Sequence, residues 1–554
     1  MAILGTILRP AARVAAMHAG HQVRGFLRAH QRTREGQERL LRQMIDAAAD
    51  SQFGRDHHLD RVRSYADFTS AVPIGDYESH RPYVDRVLGG EVRALFAAGT
   101  EVVMFAVTSG TTGAPKYIPV TRPFLADYRR SWNVFGLLAL KRYPQAWLRP
   151  VVTITSSARE SVSPTGIPCG SISGLLAQTQ KWVVRKMYPV PRIVGEIRSP
   201  ASKYYTAVRC SMVRDVAMLT TANPSSAIRL AEAGRDCAER IIRDVRDGTL
   251  NPPDGLPPGF TRRLSLRPEP GAAKRLQELL HRHGELLPRH YWRLNLLCLW
   301  TGGTLGLYLP RVRQLYGNVP IRDIGLLASE GRLSVPIQSG TPAGVAEITS
   351  NFLEFIPAEQ IESTGPDVRR AHELEVGREY FIVLTNRAGL WRYNIDDRVR
   401  VTGRLGGSPM FEFLSKGVHA CSITGEKLTE HQVVEAMDRA GGALGVAVET
   451  FVLQGHFAAL PYYQLLSEPI GRVGAETLCR RLDEALREIN LEYDAKRASG
   501  RLGPIRHRSL PEGSFARQEA RRILQCRGRA EQYKHKYLMN DIVQDSECDR
   551  RQED

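Results

Sequence analysis

The segment Phe105-Ala106-Val107-Thr108-Ser109-Gly110-Thr111-Thr112-Gly113-Ala114-Pro115-Lys116 decides the fold class of this chain. It predicts a β-strand that leads into a loop of small residues and ends at a lysine. Gly110 and Gly113 carry no Cβ and can adopt positive φ, so backbone N–H groups of the loop can turn inward and meet phosphate oxygens. Lys116 supplies a mobile positive charge. Further hydrogen-bond donors are the hydroxyls of Ser109, Thr111 and Thr112. The segment therefore predicts a loop that binds a polyphosphate.

The spacing of this loop excludes a Walker A motif. Its two glycines stand too close together, Lys116 does not directly follow the second one, and no Ser or Thr comes after the lysine to hold magnesium. The loop instead resembles the Ser/Thr-Gly-Thr-Thr-Gly-x-Pro-Lys phosphate loop of adenylate-forming enzymes, which activate a carboxylic acid with ATP. An ordinary surface loop rich in glycine and serine is the alternative.

Length and charge set the frame for the rest of the chain. With 554 residues the chain is too long for one ordinary core and predicts two or more domains. A formal net charge of +17 suits nucleic acid, an anionic membrane surface or anionic small molecules. Most of the excess is arginine scattered through predicted helices, which indicates solvated surface charge and no nucleic-acid partner.

The cysteines and the first residues bear on location. The eight cysteines form no Cys-x-x-Cys pair, which favours free thiols in a reducing, cytoplasmic compartment over zinc or a disulfide framework. No stretch approaches the roughly 18 to 20 apolar residues of a membrane span, so we expect no stable membrane insertion. Residues 1–34 are rich in arginine and contain no acid, as in a transit peptide or an interfacial helix. The amphipathic pattern of residues 37–45 favours a structural helix instead.

Strands alternate with helices along the first 330 residues. A long helix is predicted from Pro123 to about Lys141, and buried strands are predicted over residues 150–155, 215–220, 294–300 and 321–327. This alternation predicts an α/β fold with mainly parallel sheets. The Pro- and Gly-rich residues 251–268 predict a surface loop.

Two of these strands lead to candidate ligand residues. The strand that ends near Trp300 delivers Thr301, Gly302 and Gly303, a turn at which a ligand can approach the backbone at the start of a helix. The strand from Ile321 delivers Ser329 and Glu330. A carboxylate at the carboxyl end of a strand in an α/β sheet lies where ligands bind, and Glu330 is a candidate Mg²⁺ ligand. A surface carboxylate in a turn is the alternative.

From Val345 the pattern changes to short strands, which predict a small antiparallel, barrel-like part. Within it, residues 389–397 read Gly-Leu-Trp-Arg-Tyr-Asn-Ile-Asp-Asp. They combine an aromatic ring able to lie against adenine with a carboxylate able to accept both ribose hydroxyls. A β-hairpin turn with incidental aspartates is the alternative.

Taken in order, these motifs resemble the auxin-responsive acyl acid amido synthetase family, the Gretchen Hagen family. The resemblance rests on the phosphate loop, residues 328–330, residues 389–397 and residues 425–430, and it covers about residues 35–540. The flanking segments that agree are residues 53–57, 72–78, 223–226 and 532–534. It implies a large N-terminal domain, residues 1–415, that binds ATP and the acyl substrate, and a smaller mobile α/β domain, residues 416–554, after a hinge near Lys416.

The resemblance also implies a reaction and roles for residues. A carboxylic acid attacks the α-phosphate of ATP with Mg²⁺ to give an acyl-adenylate, and an amino acid amine then displaces AMP to form an amide. Attack of one anion on another is repulsive, so cationic groups should stabilise the transition state. The roles that the resemblance implies are catalysis by Lys116, Lys427 and Lys534, Mg²⁺ binding by Glu330, nucleotide contact by Tyr393 and Lys416, ribose binding by Asp397, and an adenine pocket at Thr301 to Gly303.

Two departures from the family pattern leave alternatives open. The family reads Tyr-Arg-x-Gly-Asp near Asp397, whereas this chain has Asn394 and Asp396 in place of the arginine and the glycine. Residues 535–537 read His-Lys-Tyr where the family more often has a Pro-Arg pair. The alternatives are an adenylate-forming ligase with a thiol acceptor, such as coenzyme A or a carrier protein, and a weakened relative that only binds nucleotide or acid. If residues 393–397 stay extended, Asp396 and Asp397 point to opposite faces and only Asp397 holds the ribose.

Overall fold

Four short apolar strands form a parallel sheet. The computed structural model that shows it describes residues 20–108, 115–180, 182–417, 420–421, 423–424, 426, 428–458, 460–471, 473–498, 502–525 and 535–544. In sheet order the strands are Val151–Thr153, Met218–Thr221, Leu296–Leu299 and Ile321–Asp323. Most residues of these strands are buried, as expected for a sheet covered on both faces. The α/β fold with parallel strands is confirmed.

The phosphate-loop segment begins in a second, mixed sheet. Strand Val102–Thr108 pairs antiparallel with Lys116–Thr121 and parallel with Pro168–Gly170, which in turn pairs antiparallel with Ser161–Val162. Thr108 stands opposite Lys116, so the loop closes a hairpin.

A seven-stranded sheet follows the parallel one and forms the curled, half-barrel part of the fold. Its end strands are not paired with each other in the described part of the chain, so the sheet stays open. In order its strands are Ser334–Val335, Gly344–Ala346, Ser408–Lys416, Tyr393–Leu405, Glu379–Asn386, Asn351–Pro357 and Arg369–Arg370. A two-stranded hairpin, Leu327–Ala328 with Gly331–Arg332, precedes it.

Helices cover the sheets of this part of the chain. Helix Thr33–Ala48 buries Leu40, Leu41, Met44 and Ile45, at the spacing that one helical face requires. Helix Arg122–Arg142 starts where the hydroxyl of Thr121 accepts the N–H of Phe124 and Pro123 occupies the first turn. Residues 20–29 are helical. The other α-helices are Gln52–Asp56, Tyr65–Ala71, Tyr77–Leu88, Ile172–Gln178, Trp182–Arg185, Pro200–Ser211, Pro224–Asp236, Ala238–Asp247, Pro270–His283, Pro288–Tyr291 and Leu309–Tyr316.

The chain divides into two compact units. One comprises residues 1–302 and 312–413, and the other comprises residues 303–311 and 414–554. The second unit has its own core and a mixed four-stranded sheet in the order Arg506–Ser509, Tyr462–Ser467, Phe451–Phe457 and Leu538–Gln544. Its helices are Glu430–Leu444, Ala475–Ile489, Leu491–Ala498 and Ser514–Gln525, and a short hairpin joins Ala420–Cys421 to Leu428–Thr429. Within the described ranges, no helix is long and apolar enough to cross a membrane.

Candidate functional site

Lys116 is fixed at the end of the phosphate-loop hairpin by Tyr77. The Tyr77 hydroxyl accepts the N–H of Tyr117 at 2.7 Å and lies 3.2 Å from the carbonyl oxygen of the same residue. The ammonium of Lys116 lies 5.4 Å from the centre of the Tyr77 ring. The loop residues Ser109, Gly110, Thr111, Thr112 and Gly113 lie outside the described residues. The structure therefore defines the two ends of the loop and the lysine that follows it.

The turn after strand Leu296–Leu299 is held by a buried acid that the sequence did not indicate. Asp323 accepts the N–H and the hydroxyl of Thr301 at 2.6 and 2.7 Å, and it accepts the N–H of Gly325 at 2.6 Å. Burial raises the pKa of Asp323 to about 6. The Thr301 hydroxyl thus forms a hydrogen bond within the turn, and Asp323 holds the turn in place.

Gly302 lies against an aromatic pair. A Cβ at this position would stand 3.1 Å from Nε1 of Trp300 and 3.6 Å from the Cβ of Phe413. The rings of Trp300 and Phe413 are 5.2 Å apart. Gly303 has a φ of +60° and starts the 3-10 helix Gly303–Tyr308. A side chain at Gly302 would crowd the indole, which accounts for glycine there.

Glu330 lies in a hairpin turn and not at the end of a parallel strand. The strand from Ile321 ends at Asp323, because Gly325 adopts a φ of +86° and the chain then turns into the hairpin whose turn holds Ser329 and Glu330. The predicted strand over residues 321–327 was therefore too long. The backbone carbonyl of Glu330 accepts the side-chain N–H of Asn386 at 2.6 Å, which anchors the turn to the seven-stranded sheet.

Glu330 is a buried residue, 6% exposed, whose carboxylate has no protein partner in the part of the chain that the structure describes. Neither a hydrogen bond nor an ion pair to its side chain occurs there. Such a carboxylate is available to a cation or to a donor from a ligand. The described residues contain no group of three or more His, Cys, Asp or Glu able to hold a metal. Mg²⁺ bound through a single carboxylate, substrate phosphates and waters fits that pattern.

Tyr393 stands next to Glu330 and Asp397. Burial raises the pKa of Tyr393, and the negative charges of Glu330 and then of Asp397 raise it further. Its ring is 2% exposed and meets the ring of His80 edge to face at 5.6 Å. Among the described residues no hydrogen bond of its hydroxyl occurs. The Tyr393 hydroxyl and the Glu330 carboxylate are therefore two polar groups of one region that the described chain does not engage.

The chain around Tyr393 is held by a segment far away in sequence. The N–H of Trp391 donates to Nε2 of His80 at 3.0 Å, the same nitrogen lies 3.0 Å from the Trp391 carbonyl, and Nδ1 lies 2.8 Å from the Asp76 carbonyl. Gly75 donates its N–H to the Arg392 carbonyl at 3.1 Å and accepts the N–H of Asn394 at 2.8 Å. Residues 72–80 therefore hydrogen-bond to the start of strand Tyr393–Leu405 and the residues just before it, and this strand carries Asp396 and Asp397.

Residues 394–397 form a bulge within strand Tyr393–Leu405, so the condition that this segment stays extended is not met. Ile382 alone stands opposite Ile395, Asp396 and Asp397. Asp396 adopts a φ of +64°, and its N–H donates to the side-chain oxygen of Asn394 at 2.9 Å. Aspartate tolerates the left-handed region better than most residues, and the asparagine closes a local turn. The two departures from the family pattern thus build one turn together.

Within this bulge the two aspartates differ in burial. Asp397 is 5% exposed and lies near Tyr393, whereas Asp396 is half-buried. Asp397, which the sequence predicts for ribose binding, is therefore the aspartate that lies near Tyr393. Its position results from the bulge and not from the alternation of side chains along an extended strand.

Three further predicted residues belong to the second unit. Lys416 is the last residue of strand Ser408–Lys416. Lys427 and Lys534 lie outside the described residues. Sequence reasoning missed Asp323, His80 and Tyr77 as supports of the site. The signal for Tyr77 and His80 was their place in or beside the family-like residues 72–78, whereas nothing in the sequence singled out Asp323.

Comparison with known proteins matches the chain to three family domains. Residues 22–321 match the GH3 family N-terminal domain, residues 345–416 the GH3 family central domain, and residues 431–542 the GH3 family C-terminal domain. An indole-3-acetic acid-amido synthetase, GH3.8, from Oryza sativa subsp. indica is 24% identical over 512 residues, which cover 86% of this chain and 84% of the relative. A 4-substituted benzoates-glutamate ligase, GH3.12, from Arabidopsis thaliana is 23% identical over 522 residues, which cover 86% of this chain and 88% of the relative.

Solved structures agree on the fold. The GH3.15 acyl acid amido synthetase superposes with a TM-score of 0.80 at 18% identity, covering 94% of both chains. A 2-hydroxyisobutyryl-CoA ligase superposes with a TM-score of 0.52 at 13% identity, covering 92% of this chain and 89% of the other. The first family match alone spans more than half of the sequence, and the other two follow in order to residue 542. The chain belongs to the GH3 family.

Proposed function

We propose that the protein is an acyl acid amido synthetase, which uses ATP to activate a carboxylic acid as an acyl-adenylate and transfers the acyl group to an amino acid amine. Membership of the GH3 family and the names of its relatives support this activity. The observation that carries it is the carboxylate of Glu330, which has no protein partner among the described residues and whose charge acts on Tyr393. These groups belong to the same compact unit as Lys116.

In the first step a carboxylate oxygen attacks the α-phosphorus of ATP, and pyrophosphate leaves with the bonding electrons. Negative charge grows on the phosphate oxygens, so a fixed cation and oriented N–H groups favour the transition state. We assign the cation to Lys116 and the N–H groups to residues 109–113. The Thr301 to Gly303 turn would lie along the adenine, Asp397 would accept both ribose hydroxyls, and Tyr393 and Lys416 would contact the nucleotide.

We assign Mg²⁺ binding to Glu330. When bound, the ion would neutralise charge on the phosphates of ATP. Ser329 lies in the same hairpin turn and would contribute to nucleotide binding.

In the second step the amine nitrogen attacks the acyl carbon, the bond to the adenylate oxygen breaks, and AMP leaves while the nitrogen loses a proton. We propose that residues 416–554 move between the two steps about a hinge at Lys416, and that Lys427 and Lys534 act in catalysis from that domain. The position of Lys416 at the end of a strand, where the second unit begins, supports the hinge.

A screen of ATP–pyrophosphate exchange over aryl, indole and fatty acids tests the first step. Acid-dependent exchange is expected, and its absence with every acid class would favour the weakened, binding-only relative. Products with amino acids are then compared with products with coenzyme A. Amide formation supports the proposal, whereas a thioester alone would show the thiol-accepting ligase.

We also propose that the protein works in the cytoplasm. All six cysteines in the described part of the chain are free thiols, as a reducing compartment favours.

A further inference from the structure

A cavity of about 580 Å³ lies away from the candidate active site, under the Pro- and Gly-rich residues 251–268. Its volume falls within the range of small-molecule sites, roughly 300 to 1,000 Å³. The cavity belongs to the first unit. Helix Pro200–Ser211 contributes Arg209 and Cys210 to its lining.

The cavity lies near the amino ends of the parallel strands, whereas Thr301 follows the carboxyl end of one of them. Six residues lie between the end of helix Pro200–Ser211 and the amino end of strand Met218–Thr221. The Ser211 carbonyl accepts the indole N–H of Trp292, which precedes strand Leu296–Leu299. Thr301 follows the carboxyl end of that parallel neighbour, and a strand of this length spans roughly 13 Å. The cavity is therefore separate from the turn that Asp323 holds.

The lining of the cavity carries more positive than negative charge. Its lining includes four arginines and one acid. Arg214 pairs with Glu269 at 2.9 Å, and Arg263 pairs with Glu196 at 2.7 Å. The two remaining arginines have no ion pair within the described residues, and these are Arg209 and Arg267.

Arg209 is a fixed cation at the floor of the cavity. It is 1% exposed, and it donates to the carbonyls of Thr249 at 3.3 Å and Asp244 at 2.9 Å. These acceptors lie at the end of helix Ala238–Asp247, whose dipole offsets part of the charge. The carboxylates of Asp244 and Glu269 compensate part of the charge of Arg209, but neither forms an ion pair with it.

The rest of the lining adds apolar surface. Pro189, Pro191, Leu264, Leu266 and Pro268 supply it. The Cys210 thiol is inert toward this ligand, because burial raises its pKa to about 11. Apolar walls with two guanidinium groups that form no ion pair among the described residues match a ligand that carries one anionic group on an apolar body.

We propose that this cavity, named here the arginine cavity, is a binding site for a small organic anion, a carboxylate or a phosphate monoester with an apolar body. Arg209 and Arg267 bind the anionic group, and the prolines and leucines cover the apolar body. The site is independent of the proposed acid activation.

Binding is measured by calorimetry on the full chain without ATP or amine, with phenyl phosphate, benzoate and benzyl alcohol as probes. We expect saturable binding of phenyl phosphate, benzoate or both, and none of benzyl alcohol. Arg267→Ala should weaken the anion's binding by about tenfold, since a charge-assisted hydrogen bond is lost. Arg262→Ala is the matched control, because Arg262 is also exposed on this loop but does not line the cavity.

Arg209→Met, checked for native unfolding behaviour, should abolish binding. Arg267→Ala decides the question if that variant does not fold. Equal affinities in the Arg267→Ala and Arg262→Ala variants, or no saturable binding of either anion, would overturn the proposal. Lys116→Ala should bind the anion as the unmodified chain does, so failure here is distinguishable from failure of the proposed activity.

Discussion

Substituting Asp396 and Asp397 separately tests which carboxylate holds the ribose. Asp396 is held at a φ of +64°, a region that costs an ordinary L-residue roughly 1 to 2 kcal/mol. Aspartate and asparagine bear this conformation best, and glycine bears it without strain. Glycine also gains about 0.5 to 1 kcal/mol of unfolded-state entropy, so Asp396→Gly should change the free energy of unfolding by less than about 1 kcal/mol.

Asp397→Asn keeps the shape of a buried side chain and removes its charge. A carboxylate that accepts two ribose hydroxyls makes two charge-assisted hydrogen bonds, each worth about 1.5 to 3 kcal/mol. Losing the equivalent of one raises the KM for ATP by about tenfold or more, at about 1.4 kcal/mol per decade.

The assay is the KM for ATP in acid-dependent pyrophosphate exchange, with Asp396→Asn as the matched control. That control makes the same chemical change one residue away and preserves tolerance of positive φ. We expect Asp396→Asn and Asp396→Gly to leave the KM within about twofold of the unmodified value, a change of under 0.5 kcal/mol. A larger increase in either Asp396 variant than in Asp397→Asn would refute the reasoning and shift the ribose contact by one residue.

Three further predictions follow from the same geometry. Lys116→Ala should lower pyrophosphate exchange by about a hundredfold or more while unfolding changes by less than about 0.5 kcal/mol, with the exposed Lys141→Ala as control; exchange at the unmodified rate would remove the lysine from the site. Asp323 has a pKa raised from 3.8 to about 6 by burial, so the folded chain binds more protons than the unfolded chain between those pH values. Stability relative to Asp323→Asn, measured by chemical denaturation, should therefore fall by about 2 kcal/mol as the pH rises from 4 to 6, and parallel curves for the two proteins would contradict this origin. Lys416→Ala should change exchange and amide formation by different factors, and equal losses in both half-reactions would argue for a fixed arrangement of the C-terminal domain.

Local pattern was enough to predict the elements that carry the site. The helix predicted from Pro123 to Lys141 is Arg122–Arg142, and the strand predicted over residues 294–300 is Leu296–Leu299. Both are set by short-range signals, a capped amphipathic run and a short apolar run. The strand predicted over residues 321–327 ends early because Gly325 takes positive φ, and a single glycine inside a strand pattern signals such a break only weakly.

Long-range pairing accounts for what sequence reasoning missed. His80 and Gly75 hold the strand at Trp391 and Asn394, more than 300 residues later. Periodicity within a segment carries no information on such a partner. The bulge at residues 395–397 depends likewise on its pairing with Ile382 and on the Asn394 side chain, so an extended strand was the natural expectation from the alternating pattern.

Asp323 and Glu330 show why residue type alone could not assign the acids. Both are buried residues and lie seven residues apart; Asp323 falls within the strand predicted over residues 321–327, and Glu330 follows it. The carboxylate of Asp323 accepts three hydrogen bonds from the chain, so it is already engaged in holding the Thr301 turn. Glu330 receives none at its carboxylate from the described residues, so its charge is available to a ligand.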